Sequence, residues 1–434
     1  MSTTTTQISR RAFAALAGSA FATLGLAACS SGGGGASGPI KFWNMPWGAP
    51  AFATLDKKIT EAYKPSGKLP DAVYQSVQWQ AFTQTFSTAV ASNTGPAVSS
   101  GSGTQAFSFA QQGKIAYADH LLDSWRSNGI YDDFLPGILD TMKTPKGYAA
   151  VPYNLDMRVL WYSKSLLEKA GADVPTDWQS NLDACAALKK IGVYGFGLSA
   201  GAQGNAFQAI VSLMINNGGG IFDEEQKPNL LTPANIQAIE YVQELVRKGY
   251  ADPKSTGYST SNTQAQWKAG KFGMQIEAPG LAANLGGSLL TDVVVGEPLT
   301  AAAGTKGTLS FPNNIMMYTN TPTQKGSEAF LTYYYKAMAP LWTQKTGVGL
   351  PVLKSIAETP EFRSDANAAK IVDVWQPIAK TWAAPGGAAL FANVTTVDST
   401  TPMTNFAQTV VAAKTSPKDA LTTLQKALDA AIAR

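Results

Sequence analysis

Apolar positions along this chain change period several times, and each change marks an element. Ile40-Lys41-Phe42-Trp43 alternates as a short strand, which Pro46 and Gly48 break. Leu55, Ile59 and Tyr63 recur every four residues, the spacing of a helix over 52–63. Val73 to Val77 reads as a second strand. Phe82, Phe86 and Val90 return to helical spacing until Asn93-Thr94-Gly95-Pro96 stops them, and Ser99 to Thr104 reads as a polar loop. Strand, helix, strand, helix and loop in that order open an α/β domain.

Later helices carry their end signals. Ser163 caps a segment that ends at Ala170-Gly171, and Thr176 opens the next before Asp177-Trp178. Thr232-Pro233 starts a helix with Ile236, Ile239, Val242 and Leu245 inward, and Arg247-Lys248-Gly249 ends it. Ser416-Pro417 opens a last helix with the stripe Leu421, Leu424, Leu428 and Ile432. Short β stretches are expected at 273–276 and 293–295. Cys185 falls in register with Trp178, Leu182 and Leu188, a core position.

One apolar run is different in kind. Ala12 to Ala28 follows Arg10-Arg11 and ends in Leu26-Ala27-Ala28-Cys29, directly before a Ser/Gly run. A basic start, a short apolar stretch and small residues before a cysteine predict an export segment over 1–28, cleaved ahead of Cys29, whose thiol carries a lipid. Ser9-Arg10-Arg11-Ala12-Phe13 resembles the twin-arginine pattern. Residues 29–38 are then the lipidated cysteine and a flexible tether. The competing reading is a plain membrane anchor, but the run is shorter than the ~20 residues a span needs.

Of the 34 basic and 30 acidic side chains, two arginines lie in that segment, which leaves a net charge near +2. This balance gives no electrostatic reason to expect nucleic acid. With Cys29 lipidated, Cys185 is left without a disulfide partner, and His120 is the single histidine, so no zinc spacing exists and no metal or cofactor is expected.

Val151-Pro152-Tyr153-Asn154, then Leu160 to Gly171, then Val174-Pro175-Thr176-Asp177-Trp178 resembles the crossover segment of the extracellular solute-binding proteins of ABC importers, in the sugar-binding, maltose-binding-protein-like group. Asn217 to Asp223 is similar to the middle of that family, and Trp267 to Met274 resembles its Phe-x-x-Gly-Lys-x-Ala-Met stretch. Thr319 to Phe330 and Gly347 to Pro351 are similar to its late segments. Two departures stand out: Gly280 replaces the tryptophan of many relatives, and the 99–105 loop lacks an acid that some use on the sugar. The resemblance implies an α/β, two-lobed periplasmic-binding-protein-like fold with a hinge and an interlobe ligand cleft. It implies an N-terminal lobe of 39–150 and 292–346, a C-terminal lobe of 151–291 and 347–434, and crossings near 149–153, 291–296 and 346–351. It also implies a lipid-anchored monomer on the extracellular face, delivering a carbohydrate to ABC permease subunits and performing no chemistry on it.

A sugar combines a hydroxyl rim with apolar C–H faces, so its site pairs planar polar groups with flat rings. On that ground the candidates are Trp43, Asn44 and Trp47 after the first strand, Trp79 after the second, and Gly101 and Gln105 in the polar loop. Asn154, Asp156 and Arg158 share one side of an extended segment. Asn205, Glu277, Asn313 and Trp382 complete the set. Two other functions remain open: a secreted carbohydrate-active enzyme using Asp156 and Glu277, and a sensor lipoprotein of the same fold.

Overall fold

The computed structural model describes residues 38–79, 82–398 and 400–433. The export segment, Cys29 and the tether before Gly38 lie outside the described residues. Fourteen strands are described: β1 (Ile40–Asn44), β2 (Ala72–Ser76), β3 (Val98–Gly101), β4 (Ile115–Ala116), β5 (Lys143–Thr144), β6 (Gly147–Tyr148), β7 (Val151–Met157), β8 (Val159–Ser163), β9 (Tyr194–Gly197), β10 (Phe272–Glu277), β11 (Val293–Val295), β12 (Thr308–Tyr318), β13 (Leu350–Pro351) and β14 (Ala379–Lys380). They form an eight-stranded sheet ordered β13-β7-β12-β3-β1-β2, with β4 and β14 also on β12, a four-stranded sheet ordered β11-β8-β10-β9, and the small hairpin β5-β6. Each of the two larger sheets carries its own helices, which gives the two-lobed α/β architecture.

The direction of the strands explains where functional residues gather. β1 runs parallel to β2 and β3, so Asn44, Ser76 and Gly101 end at one edge of the larger sheet. β12 is antiparallel to β3 and pairs Asn314 with Gly101, which brings its early residues to the same edge. β7 is antiparallel to β12, which brings Asn154 and Asp156 there too. A bulge between Asn313 and Asn314 leaves Tyr153 as the extra residue of β7, locally twisting the pair. Ligands of open α/β sheets bind outside such strand ends.

From that edge the chain enters the smaller sheet through one residue, Arg158, between β7 and β8. It returns between β11 and β12 and leaves the larger sheet again after β13. Residues 151–157, expected to open the second lobe, pair with β12 in the larger sheet, as does β13 with β7. By strand pairing β7 stays with the larger sheet as far as Met157, past the 149–153 at which a crossing is expected.

Local signals produce the helices. Ser163, Thr232 and Ser416 each accept a backbone N–H of the first turn. One cap is shifted from its expected place: Asp177, not Thr176, caps the helix Trp178–Lys190, in a reciprocal box with Ser180. Cys185 is fully buried on that helix. The stretch 99–101 is not loop but part of β3, with all four residues buried. Its small polar side chains fit between β1 and β12 because the hydroxyls are bonded, Ser99 with the Tyr318 hydroxyl and Ser100 with the Met45 N–H. Among the described residues no helix is long and apolar enough to cross a membrane.

Candidate ligand-binding site

The β1 end of the larger sheet builds an aromatic corner on a polar support. Trp47 is half-buried, its ring meeting Trp79 edge-on at 4.8 Å and Tyr153 at 6.3 Å. The indole Nε1 donates to Asn44 Oδ1 at 3.0 Å and Ser100 Oγ at 3.1 Å. Trp79 is 40% exposed and donates to the Pro46 carbonyl. Asn44, expected to face a ligand, is fully buried instead. Its Nδ2 donates to Asp56 Oδ2 at 2.6 Å and toward the Tyr153 hydroxyl at 3.4 Å, so both ends of its amide are occupied. Trp43 packs into the core against Phe86 at 5.5 Å. At the end of β1 both Trp43 and Asn44 are buried, so the residues after it are the ones that reach outward.

The middle of the edge is a run of amides. Asn313 Nδ2 donates to Asn154 Oδ1 at 2.8 Å, and Asn314 Nδ2 donates to the Ser102 and Gly103 carbonyls. A Cβ at Gly101 would stand 2.2 Å from the Met316 methyl and 3.0 Å from Gln105 Oε1, so a larger residue here would displace the Met316 side chain. Gln105 Oε1, Asn154 Nδ2 and Asn314 Oδ1 are buried and have no protein partner. A buried polar atom without a partner costs about 1–3 kcal/mol, so such a cluster marks a place where another molecule completes the bonding.

At the crossing lies a charged network. The Arg158 guanidinium is buried, donates from Nη1 to both Asp156 oxygens at 2.9 and 3.0 Å, and donates from Nε to Gln208 Oε1 at 2.8 Å. It also lies 4.6 Å over the Phe311 ring. Glu277 is buried at the end of β10. Its Oε1 accepts from Asn205 Nδ2 at 2.7 Å and from the Ala278 N–H, and its Oε2 accepts from Gln275 Nε2 at 3.1 Å. Burial raises the Glu277 pKa, against the opposing pull of Arg158. Burial works to lower that of Arg158, but Asp156 and Glu277 outweigh it and raise it. The guanidinium therefore stays charged and neutralises carboxylates from both sheets.

Trp382 closes this end of the cluster. Its ring stacks on Phe207 at 6.2 Å and 8°, meets Phe311 edge-on at 5.7 Å, and its buried Nε1 has no protein partner. The structure thus brings Asn154, Asp156, Arg158, Asn205, Glu277, Asn313 and Trp382 to the crossing, and Trp47 and Trp79 to the aromatic corner, with Gly101 and Gln105 beside the amides. Trp43 and Asn44 stand behind them. Gln208, Ser100 and Asp56 serve these groups and escaped the sequence reading. Gln208 did carry a signal, as a polar residue within the wholly buried helix Ala206–Asn216. A cavity of about 360 Å³ lies elsewhere, between Leu166, Trp267, Leu285 and Asp292, and holds none of the expected residues. Among the described residues no group of His, Cys, Asp and Glu is placed to hold a metal ion.

The amides present both donors and acceptors, the rings are flat, and the one cation, Arg158, is already engaged by Asp156. Such a surface complements a neutral molecule with hydroxyls and apolar faces. The comparisons agree with this geometry. A sugar transporter of Arthrobacter chlorophenolicus A6, crystallised with bound laminaribiose, is 48% identical, with a TM-score of 0.79 over 91% of this chain and 99% of that one. The sugar-binding protein MalE of Xanthomonas citri shares the fold at 18% identity, with a TM-score of 0.76 over 91% and 97%. The mannitol-binding protein of Pseudomonas aeruginosa is 26% identical over 37% of each chain. The model of the bacterial extracellular solute-binding proteins matches residues 46–339, more than half of the sequence, and the chain belongs to that family.

Proposed function

We propose that this protein is the carbohydrate receptor of an ABC importer, tethered outside the cell by a lipid on Cys29 and delivering its sugar to the membrane permease. The observation that carries this reading is the set of buried, unpartnered atoms at the edge where the sheets meet: Gln105 Oε1, Asn154 Nδ2, Asn314 Oδ1 and Trp382 Nε1. Two accept and two donate, and a hydroxyl group can answer both needs. An anionic ligand would meet two carboxylates, Asp156 and Glu277, against the one cation Arg158. The rings of Trp47, Trp79 and Trp382 supply flat faces for C–H surfaces. The 48% identical relative holding laminaribiose makes a β-linked glucose disaccharide the first ligand to try.

Binding would draw the two sheets together, with contacts from both sides favouring the shut form. An enzymatic role is disfavoured by the carboxylates themselves. Both Asp156 oxygens face Arg158, and both Glu277 oxygens are occupied by neutral donors. A general acid or nucleophile needs a free edge toward the substrate.

Calorimetric titration of the purified chain with laminaribiose, maltose and cellobiose tests the reading, together with chromatography of the sugar afterwards. Saturable binding with the sugar unchanged supports a receptor. Cleaved product supports an enzyme, and no binding to any sugar rejects the ligand class. Loss of sugar uptake on deletion of the gene separates importer from sensor, and mass spectrometry of the N-terminal peptide tests the lipid on Cys29.

A further inference from the structure

We propose that Asp56 is a positioning residue of the ligand site, holding the indole of Trp47 through the amide of Asn44. The inference rests on the reading above, in which Trp47 lines the site. Asp56 lies on the helix Pro50–Glu61 and points inward, fully buried. Its Oδ2 accepts from Asn44 Nδ2 at 2.6 Å, and its Oδ1 accepts from the Tyr334 hydroxyl at 2.5 Å, which meets the Tyr153 hydroxyl at 3.0 Å.

An amide side chain has one donating and one accepting end. With Nδ2 held by the carboxylate, Asn44 must turn Oδ1 toward Trp47, and it accepts the indole N–H at 3.0 Å. Ser100 Oγ, fixed by the Met45 N–H at 3.1 Å, shares the same indole proton. The ring is thereby pinned by its nitrogen while it meets Trp79 edge-on. What Asn44 requires is an accepting oxygen at Oδ2, which an ionised carboxylate supplies and which a neutral acid protonated on Oδ1 supplies as well.

Among the described residues no cation acts on Asp56 to hold it ionised. The titratable groups facing it are the hydroxyls of Tyr74 on β2, Tyr153 on β7 and Tyr334 on the helix Gln324–Ala337. Lys57, Lys58 and Glu61 of its own helix are exposed on the opposite side, and Lys325 and Lys336 of the facing helix are exposed as well. Glu328 of that helix is bound to His120. Burial pushes the Asp56 pKa up to about 6, against the hydrogen bonds from Tyr334 and Asn44. A proton on Oδ2 would set donor against donor across 2.6 Å, so the neutral acid carries its proton on Oδ1, where the Tyr334 hydroxyl turns to accept it, and the hold on Asn44 and Trp47 persists through the titration.

The test uses the chain with ¹⁵N-labelled tryptophan, the Trp47 indole signal being identified by its loss in Trp47→Phe. In Asp56→Leu, which removes the acceptor, that signal is expected to leave its native position, and in Asp56→Asn, whose amide oxygen still accepts from Asn44, it is expected to stay. Laminaribiose affinity, by calorimetry, is expected to fall about fivefold in Asp56→Leu, the loss of one hydrogen bond, and to be kept in Asp56→Asn, a rescue that a purely structural or charge role for Asp56 would not produce. A Trp47 signal unmoved in Asp56→Leu overturns the proposal. So does a folded Asp56→Asn chain in which the Trp47 signal is displaced and the sugar is lost. A Trp47 signal that moves in Asp56→Leu and returns in Asp56→Asn, with no laminaribiose bound by the native chain, upholds the link from Asp56 to Trp47 and rejects the sugar reading instead.

Discussion

Two buried carboxylates, Glu277 and Asp56, live under different electrostatic regimes. Glu277 belongs to a network with a fixed cation, Arg158, and with amide donors from the smaller sheet. Asp56 is met by neutral donors, the Asn44 amide and the hydroxyls of Tyr334 and Tyr74. Burial raises the pKa of both, but only Glu277 has a positive charge acting against that rise. A guanidinium at the junction ties that region into one electrostatic unit and opposes the rise of the Glu277 pKa. A solitary carboxylate beneath an aromatic corner makes the other region responsive to mild acid.

The largest expected effect comes from removing the cation. Arg158→Met leaves Glu277 and Asp156 without their counter-charge and is expected to cost about 3–5 kcal/mol in urea denaturation at neutral pH. The loss should shrink at pH 5, where Glu277, freed of Arg158, takes up a proton. A loss of under about 1 kcal/mol would dissolve the contrast between the two regions.

Asp56 sets the next effect. Its carboxyl is at 3.8 unfolded and about 6 folded, so the native state binds the extra proton between those values. Stability contributed by the neutral form is therefore full below pH 4 and lost as pH rises through 6, by about 3 kcal/mol. Comparing urea midpoints of the native chain and Asp56→Asn at several pH values isolates this slope, which the variant should lack.

Smaller effects sharpen the placement of the ligand. Trp47→Ala and Asp156→Ala are each expected to weaken sugar binding about tenfold while the chain stays folded, since both side chains are half-buried at the edge. Unaltered affinity in both would move the site elsewhere. A helix cap away from both regions serves as a reference: Asp177→Ala is expected to cost about 1 kcal/mol with ligand affinity unchanged.

Much of the architecture was legible because it is written in local signals. The caps at Ser163, Thr232 and Ser416 and the stripes they introduce need only neighbouring residues to act. β3 was hidden because Ser99-Ser100-Gly101 has no strand signature, and its place depends on partners more than two hundred residues away. The positions of the candidate residues were half legible. Residue types near strand ends placed Trp47, Asn154 and Asp156 at the edge of the larger sheet, where the structure has them. The same types misdirected at Asn44, whose amide is consumed by Asp56, twelve residues later on a helix with charged neighbours. An inward-facing acid among exposed lysines looks like any surface helix until its contacts are known.

The single-residue link at Arg158 carries a mechanical consequence. Points near a rotation axis travel least, and here the residue between two strands of different sheets is also the hub of the ion contacts. Were the halves to swing about it, the salt bridge would turn almost in place while the tryptophans farther out swept through the largest arc. Reorientation would then cost little electrostatic work, and leverage would fall on the groups meant to meet the guest.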